Sequence, residues 1–304
     1  GSVAAFSILP SGLWGSSPNS RLQVAQAGIG GRGRLNLESI ARLANVDVVG
    51  LCDVDKSILD DTSALYPKAA AFRDYRKMLE KLGDKIDAVL VSTPDHMHAP
   101  ISLAAMELDK HVYCEKPLAH NVKENRTLAE VSKARGLVTQ MGIQISSSLT
   151  QRMAIHYVQS GLIGKVSQVH VWSHKKWGLD ESSLPKRNDP IPATLDWNLW
   201  LGVAKERPYL DGYYHPGNWR RMMDFGTGTL GDMGVHIFHT PYKALELKAP
   251  KWVKTNTRDP NGITHPRKMV VEYAFHPTAF TAEELKWTWY DGDAAPPKEF
   301  DGFT

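Results

Sequence analysis

Val24-Ala25-Gln26-Ala27-Gly28-Ile29-Gly30-Gly31-Arg32-Gly33 is a short apolar run that ends in a cluster of glycines, and its reading decides the fold. Val24 to Ala27 is strand material. Gly28, Gly30 and Gly33 then have the G-x-G-x-x-G spacing, in which the first glycine makes a tight turn, the second lets backbone approach a pyrophosphate, and the third permits close helix–strand contact. Gly31 and Arg32 lie inside the same phosphate-facing turn. Glycine-rich loops are common, so the pattern gains meaning only from a strand before it, a helix after it and a carboxylate about twenty residues on.

That context is present. Leu37, Ile40, Ala41 and Ala44 recur at helical spacing, and Val46 to Cys52 is a β-rich run that ends at Asp53, twenty residues after Gly33. A carboxylate at that position accepts the adenosine ribose hydroxyls and repels a 2′-phosphate, and no arginine directly follows it, so NAD is expected rather than NADP. The competing reading of Asp53 as a helix N-cap is weaker, because Asp55 suits that task.

Strands and helices go on alternating. Asp74 caps a helix through Leu82, Ala88 to Ser92 reads as a buried strand, and Ile101, Ala104, Ala105 and Leu108 mark a helix. Val112 to Cys114 is another strand, Asn121 caps a helix ending at Gly136, and Val138 to Ile143 is the sixth strand. The expected fold class is therefore α/β: a Rossmann doubly wound parallel sheet over residues 21–145. Ligands of such sheets sit beyond the carboxyl ends of the strands. Two ends stand out, Thr93-Pro94-Asp95-His96-Met97-His98 after the fourth strand and Glu115-Lys116-Pro117 after the fifth. Thr93, Pro94, His96, His98, Glu115 and Lys116 are expected to line the cofactor cleft; a metal site at the His-x-His pair lacks a Cys or carboxylate set at ligand spacing.

At 304 residues the chain exceeds one comfortable core, so two domains are expected. A formal net charge of +3 without a dense Lys/Arg block gives no electrostatic case for nucleic acid. Cys52 and Cys114 each end an apolar run, as small buried residues do, and make no disulfide framework. Val3 to Trp14 is apolar but shorter than a membrane span, so no membrane insertion is expected. It reads as the remnant of a trimmed export signal, and an exported, periplasmic protein is expected; the alternatives are an arm that packs on a partner, over residues 1–20, and a cytoplasmic protein.

From Leu149 the pattern changes. Met153, Ile155, Tyr157 and Val158 point to a helix closed by Gly161, and Lys165 to Ser173 to a strand. Met269, Val271, Tyr273 and Phe275, then Leu285, Trp287 and Trp289, alternate with polar or smaller neighbours at period two. Residues 146–304 are expected to form an α+β domain with an open, largely antiparallel sheet whose aromatic face is covered by helices or by a second subunit. The stretch from Asp180 to Asn218 is loop-rich and proline-punctuated, and long loops in compact domains usually serve function. Tyr213, His215, Trp219 and Arg220 crowd its end. They form a candidate substrate wall, since indoles stack on sugar rings and guanidinium donates to hydroxyl or carboxylate oxygens; burial in the core is the other reading of the tryptophans.

Asp232, His236 and His239 stand at i, i+4 and i+7, which on one helix shares a face. They form either a metal-ligating set or an acid–base unit in which Asp232 orients His236, with His239 as a further substrate contact. No metal is expected, because the glycine turn already implies a nicotinamide site and alcohol oxidation needs a single base.

Gly28 to Gly33, Cys52-Asp53-Val54-Asp55, Thr93 to His98, Glu115-Lys116-Pro117 and Gly231-Asp232-Met233-Gly234-Val235-His236, in that order, resemble the Gfo/Idh/MocA oxidoreductases, a family named for glucose-fructose oxidoreductase and inositol dehydrogenase. The resemblance runs from about Leu22 through nearly the whole chain. It implies that Lys116 contacts the reacting hydroxyl, with a cis bond to Pro117, that Asp232 and His236 complete the catalytic set, and that a sugar or polyol is the substrate. It also implies a homo-oligomer, dimer or tetramer, paired through the second sheet, and a chain that is C-terminally incomplete after Thr304. An exported member would hold its NAD tightly and regenerate it each cycle, so a redox-neutral glycoside hydrolase or lyase is the alternative to a net dehydrogenase.

Overall fold

The computed structural model describes residues 21–300; the expected export remnant and the chain's last residues lie outside them. The first sheet is built from β1 (Leu22–Ala27), α1 (Gly31–Ala41), β2 (Val46–Cys52), α2 (Lys56–Ser63), β3 (Ala70–Phe72), α3 (Tyr75–Leu82), β4 (Ala88–Val91), α4 (His98–Glu107), β5 (His111–Glu115), α5 (Val122–Ala134) and β6 (Thr139–Gly142). Its strands are all parallel, in the order β3-β2-β1-β4-β5-β6. The last four residues of β1 are buried, as a central strand covered on both faces requires. The order in which strands are added reverses between β1 and β4, so the crevice beyond their carboxyl ends is the place where such sheets bind ligands.

Local signals act as expected at three helix starts. The side chains of Asp55, Asp74 and Asn121 accept the backbone N–H of Ser57, Arg76 and Glu124 at 3.0, 2.9 and 3.0 Å. Both cysteines are buried and free. Of the six strands, β3 is the one no sequence signal located: three residues are too few to show a period.

The second half contributes α6 (Leu149–Gln159), β7 (Val166–Ser173), α7 (Trp197–Leu201), α8 (Gly228–Ile237), α9 (His239–Ala244), β8 (Trp252–Asn256), β9 (Lys268–Ala274) and β10 (Thr281–Gly292). Its sheet runs β7-β10-β9-β8. The pairs β10–β9 and β9–β8 are antiparallel, as expected of a largely antiparallel sheet, while β7 and β10 pair in parallel, which makes the sheet mixed at that edge. Period two reveals a strand and its faces, not its neighbour's direction, and the helices between β7 and β10 supply the crossover that parallel pairing needs. The aromatic face is covered from within the chain: Phe238 meets Trp287 and Trp289 edge-on, with ring centroids 5.0 and 5.5 Å apart. Among the described residues no helix is long and apolar enough to cross a membrane.

The buried end of β10 carries an unpaired charge. Asp291 is 1% exposed; its Oδ2 accepts the Trp289 Nε1–H at 2.8 Å, while Oδ1 has no partner among the described residues. Burial pushes this carboxyl up to about 6. A native pKa above the unfolded value means that the native state binds the proton more readily, so this group's stabilising contribution is complete below pH 3.8 and is lost as pH rises through about 6. Asp291→Asn keeps the acceptor and removes the charge. It should stabilise the protein by about 1–3 kcal/mol at pH 8 and by far less at pH 4.5, read from denaturant melts at both pH values.

The two halves are stitched at the exit of β2. Asp55 forms a β-bridge with Leu195, Lys56 N donates to Thr194 O at 2.8 Å, and Asp196 N to Val54 O at 3.0 Å. The Arg73 guanidinium adds bonds to Val54 O and Thr194 O at 2.7 and 2.9 Å.

Candidate active site

A cavity of about 890 Å³ opens beyond the carboxyl ends of β1 and β4, between the first sheet and the second half of the chain. Its floor at one end is the glycine turn. Gly28 takes φ +78°, and a Cβ there would stand 2.6 Å from the Ser92 carbonyl, so only glycine passes between β1 and β4. Gly33 lets α1 press onto the turn, and Gln26 Nε2 fastens both by donating to Gly28 O and Gly33 O at 2.9 and 2.7 Å. Gly30, Gly31 and Arg32 line the cavity where α1 starts, and α1 has no side-chain cap. Beyond Gly31, at φ +48°, the space is open. Backbone N–H groups at such a helix start suit a pyrophosphate.

Asp53 lines the cavity at the end of β2, and its two oxygens accept Ile29 N and Asp55 N, each at 3.0 Å, which fixes the carboxylate. These residues fit a dinucleotide: a phosphate cradle that a side chain would fill, and an oriented acceptor pair for a ribose. Sequence reasoning missed Arg73 and Arg76, which line the same end and reach it through the β3–α3 turn. Locating β3 would have found them, since that turn is another carboxyl end of the parallel sheet.

Lys116 stands at the other end, after β5, and its peptide bond to Pro117 is cis. Its ammonium donates to Asp232 Oδ1 and to the Asp232 carbonyl, both at 2.9 Å. Arg220 Nε donates to the same Oδ1 at 3.3 Å. The Asp232 carboxylate, on α8, is thus committed to two cations behind the cavity wall rather than to orienting His236. His236 is half-buried and lines the cavity; its Nδ1 has no partner among the described residues. Burial first, and then the Lys116 charge, hold its imidazole below the ordinary histidine range, so it is neutral at pH 7. Glu115 braces this end, its Oε1 accepting Asn36 Nδ2 and Gln144 Nε2 at 2.8 Å each.

Several expected contacts lie elsewhere. His96 is buried between the halves, its Nε2 3.2 Å from Trp200 O and its ring edge-on to Phe225; burial pushes it down to about 4, and it does not line the cavity. His98 lines the cavity as expected, but both its ring nitrogens are taken by backbone carbonyls. The two rings diverge and do not form a metal pair. His239 is separated from Asp232 and His236 because α8 ends at Ile237: Pro241 has no N–H to return to the Ile237 carbonyl, and the helix is broken there. His239 and Tyr213 both fall outside the cavity lining, and the Tyr213 hydroxyl donates to Glu181. His215 lines the cavity at the Asp53 end, with Nε2 3.2 Å from Asp55 Oδ2, rather than at the Lys116 end. Trp219 does line the cavity, but it is 5% exposed and the Arg220 guanidinium, 4.2 Å from its ring centre, covers one of its faces. Arg220 itself reaches the cavity. Asp95, inside the Thr93 to His98 stretch but given no role there, also lines it; its Oδ2 accepts the Thr227 hydroxyl at 2.9 Å, and burial pushes it up to about 7.

A parallel sheet in this order, with a glycine turn at its switch point and a carboxylate closing β2, defines a dinucleotide-binding α/β protein with a second domain beside it. The comparisons with known proteins agree. The model of an oxidoreductase family's NAD-binding Rossmann fold matches residues 22–143, and the model of its C-terminal alpha/beta domain matches residues 149–275. The chain belongs to this family, the Gfo/Idh/MocA oxidoreductases. It is similar to a glycosyl hydrolase family 109 protein of Shewanella woodyi, 28% identical over 48% of this chain and 33% of that protein. It is also similar to a levoglucosan dehydrogenase of Pseudarthrobacter phenanthrenivorans, 25% identical over 54% of this chain and 34% of that one. The chain thus spans about a third of the length of the curated relatives it matches. Among solved structures, GenD2 from gentamicin A biosynthesis, in complex with NAD, shares the fold with a TM-score of 0.67 at 21% identity, over 92% of this chain and 68% of that one.

Proposed function

We propose that the protein is an NAD-dependent oxidoreductase acting on the CH–OH group of a sugar, polyol or related cyclic alcohol. The observation that carries this reading is one cavity lined by the glycine turn and Asp53 at one end and by the Lys116 ammonium and a neutral His236 at the other. Asp53 favours NAD over NADP, and the two nearby guanidinium groups are already engaged: Arg73 with backbone carbonyls, Arg76 with Asp74.

NAD held by the glycine turn and Asp53 would supply the hydride acceptor for the carbinol carbon. The chain does the rest. Lys116, anchored by Asp232, donates a hydrogen bond to the substrate oxygen and stabilises it as it becomes an alkoxide. His236 takes the hydroxyl proton, which its lowered basicity permits at neutral pH. Since the base must be neutral, kcat/KM for alcohol oxidation should fall as pH drops, with a midpoint below 6.5, the ordinary value. A pH profile taken against a stable buffer series checks this, and a midpoint above 7 would remove His236 as the base.

A second reading, a redox-neutral glycoside hydrolase or lyase working through a transient keto-sugar, is favoured by the stitch between residues 54–56 and 194–196. That seam adjoins the Asp53 end of the cavity, where Val54 lines it, and its backbone bonds would help to retain a cofactor between turnovers. The name of the Shewanella relative points the same way. Mass spectrometry of the purified protein, followed by a panel of polyols and glycosides monitored at the nicotinamide absorbance, tests both. Steady NADH formation from a free polyol supports the first, and glycoside turnover on retained NAD supports the second. Neither NAD binding nor any spectral change would overturn both. An exported protein that assembles through the outer face of the second sheet completes this proposal.

A further inference from the structure

His98 opens α4 and is 1% exposed. Its Nδ1 lies 2.7 Å from the Pro117 carbonyl oxygen and its Nε2 2.8 Å from the Thr93 carbonyl oxygen. A carbonyl can only accept. A neutral imidazole has one N–H and one lone pair, so either tautomer would press a lone pair against a carbonyl oxygen at hydrogen-bond distance; the doubly protonated ring alone satisfies both. The two carbonyls belong to the two strand ends that form the reaction end of the cavity: Thr93 follows β4, and Pro117 follows Lys116 after β5.

We propose that His98 is a buried imidazolium that ties these two strand ends together and is thereby a positioning residue for Lys116. The proposal rests on the oxidoreductase reading only for its kinetic consequence.

Opposing effects act on the ring. Burial disfavours the charge, as does the helix N-terminus on which it sits. The Pro117 and Thr93 carbonyl oxygens favour it, as does the sulfur of Cys114 on β5 in its thiolate form, and together they raise the group above the ordinary histidine value. His96, two residues back, is neutral and adds little repulsion. Charge-assisted bonds to carbonyls are shorter and stronger than neutral ones, as the 2.7 and 2.8 Å separations show. A bridge of this kind holds the Lys116 backbone at a fixed distance from the Thr93 turn, and displacement of a catalytic group by about 1 Å costs on the order of 100-fold in rate.

The test uses ¹⁵N-histidine-labelled protein, with the His98 signals identified by their loss in His98→Gln. At pH 7.5 both ring nitrogens should resonate as protonated, and titration should begin only above pH 8; one unprotonated nitrogen at pH 7.5 overturns the charge assignment whether or not any substrate is turned over. Folded His98→Gln, which can reach both carbonyls but carries no charge, should lose about 10- to 100-fold in kcat with KM and NAD content little changed. In its crystal structure the Lys116 Nζ to Asp232 Oδ1 separation, 2.9 Å here, should lengthen. A variant with unchanged kcat, or, if the protein oxidises no alcohol, with an unmoved Lys116, overturns the positioning role.

Discussion

Lys116→Ala is expected to lower kcat by about 10²- to 10⁴-fold while leaving the NAD content of the purified protein unchanged. The separation of effects follows from geometry. The ammonium touches the Asp232 carboxylate and carbonyl at the reaction end, whereas the glycine turn and Asp53 lie at the other end of the cavity. Removing one partner of a buried ion pair commonly destabilises by about 3–5 kcal/mol, but Asp232 keeps Arg220, so the cost here should fall below that range. Steady-state kinetics with the best substrate of the panel, paired with a thermal melt and mass spectrometry, reads all three quantities. A folded variant that retains more than a tenth of wild-type kcat would take Lys116 out of the proton chemistry.

The second large effect lies at the opposite end. Gly33→Ala places a Cβ in steric overlap with the Gly28 carbonyl oxygen, 2.8 Å from the Gly28 carbonyl carbon and 3.0 Å from Gln26 Nε2. None of these atoms belongs to a flexible side-chain end facing solvent: two are backbone, and the third is fixed by its own bonds to Gly28 and Gly33. The first turn of α1 must move away from the sheet, taking its N–H groups with it. A loss of about 2–4 kcal/mol in stability and of at least about 100-fold in NAD affinity is expected, read by denaturant melts and by calorimetric titration of the variant. NAD affinity within about fivefold of wild type would show that the turn does not hold the pyrophosphate.

What the sequence could and could not convey divides along physical lines. The caps at Asp55, Asp74 and Asn121, the alternation of β10 and the glycine turn are short-range, each set by residues within a few positions of one another. The parallel pairing of β7 with β10 and the position of β3 depend on partners far along the chain or on runs too short to carry a period. The site divides the same way. Gly28, Gly30, Gly31, Arg32, Asp53 and Lys116 announced themselves because strand ends of a parallel sheet converge on one crevice, and they line it together with His236 of α8, which helical spacing pointed to. His96 and His98 share that strand end but turn in different directions, one to Trp200 and one to two carbonyls, which no spacing rule reveals. Trp219 reads as an open stacking face until its neighbour Arg220 is seen lying on it. The break at Pro241 was visible in the sequence as a missing donor, and it is what removes His239 from the row.

The seam between residues 54–56 and 194–196 also bears on the order in which the molecule is assembled. Its hydrogen bonds join positions some 140 residues apart, as Lys56 N to Thr194 O shows, so during synthesis the first sheet is complete well before the segment that covers it emerges. A nascent chain therefore passes through an interval in which the crevice is open to solvent and to whatever dinucleotide the surrounding compartment contains. Once the seam forms, the two halves part only by local opening of its backbone hydrogen bonds, a process governed by the stability of that patch.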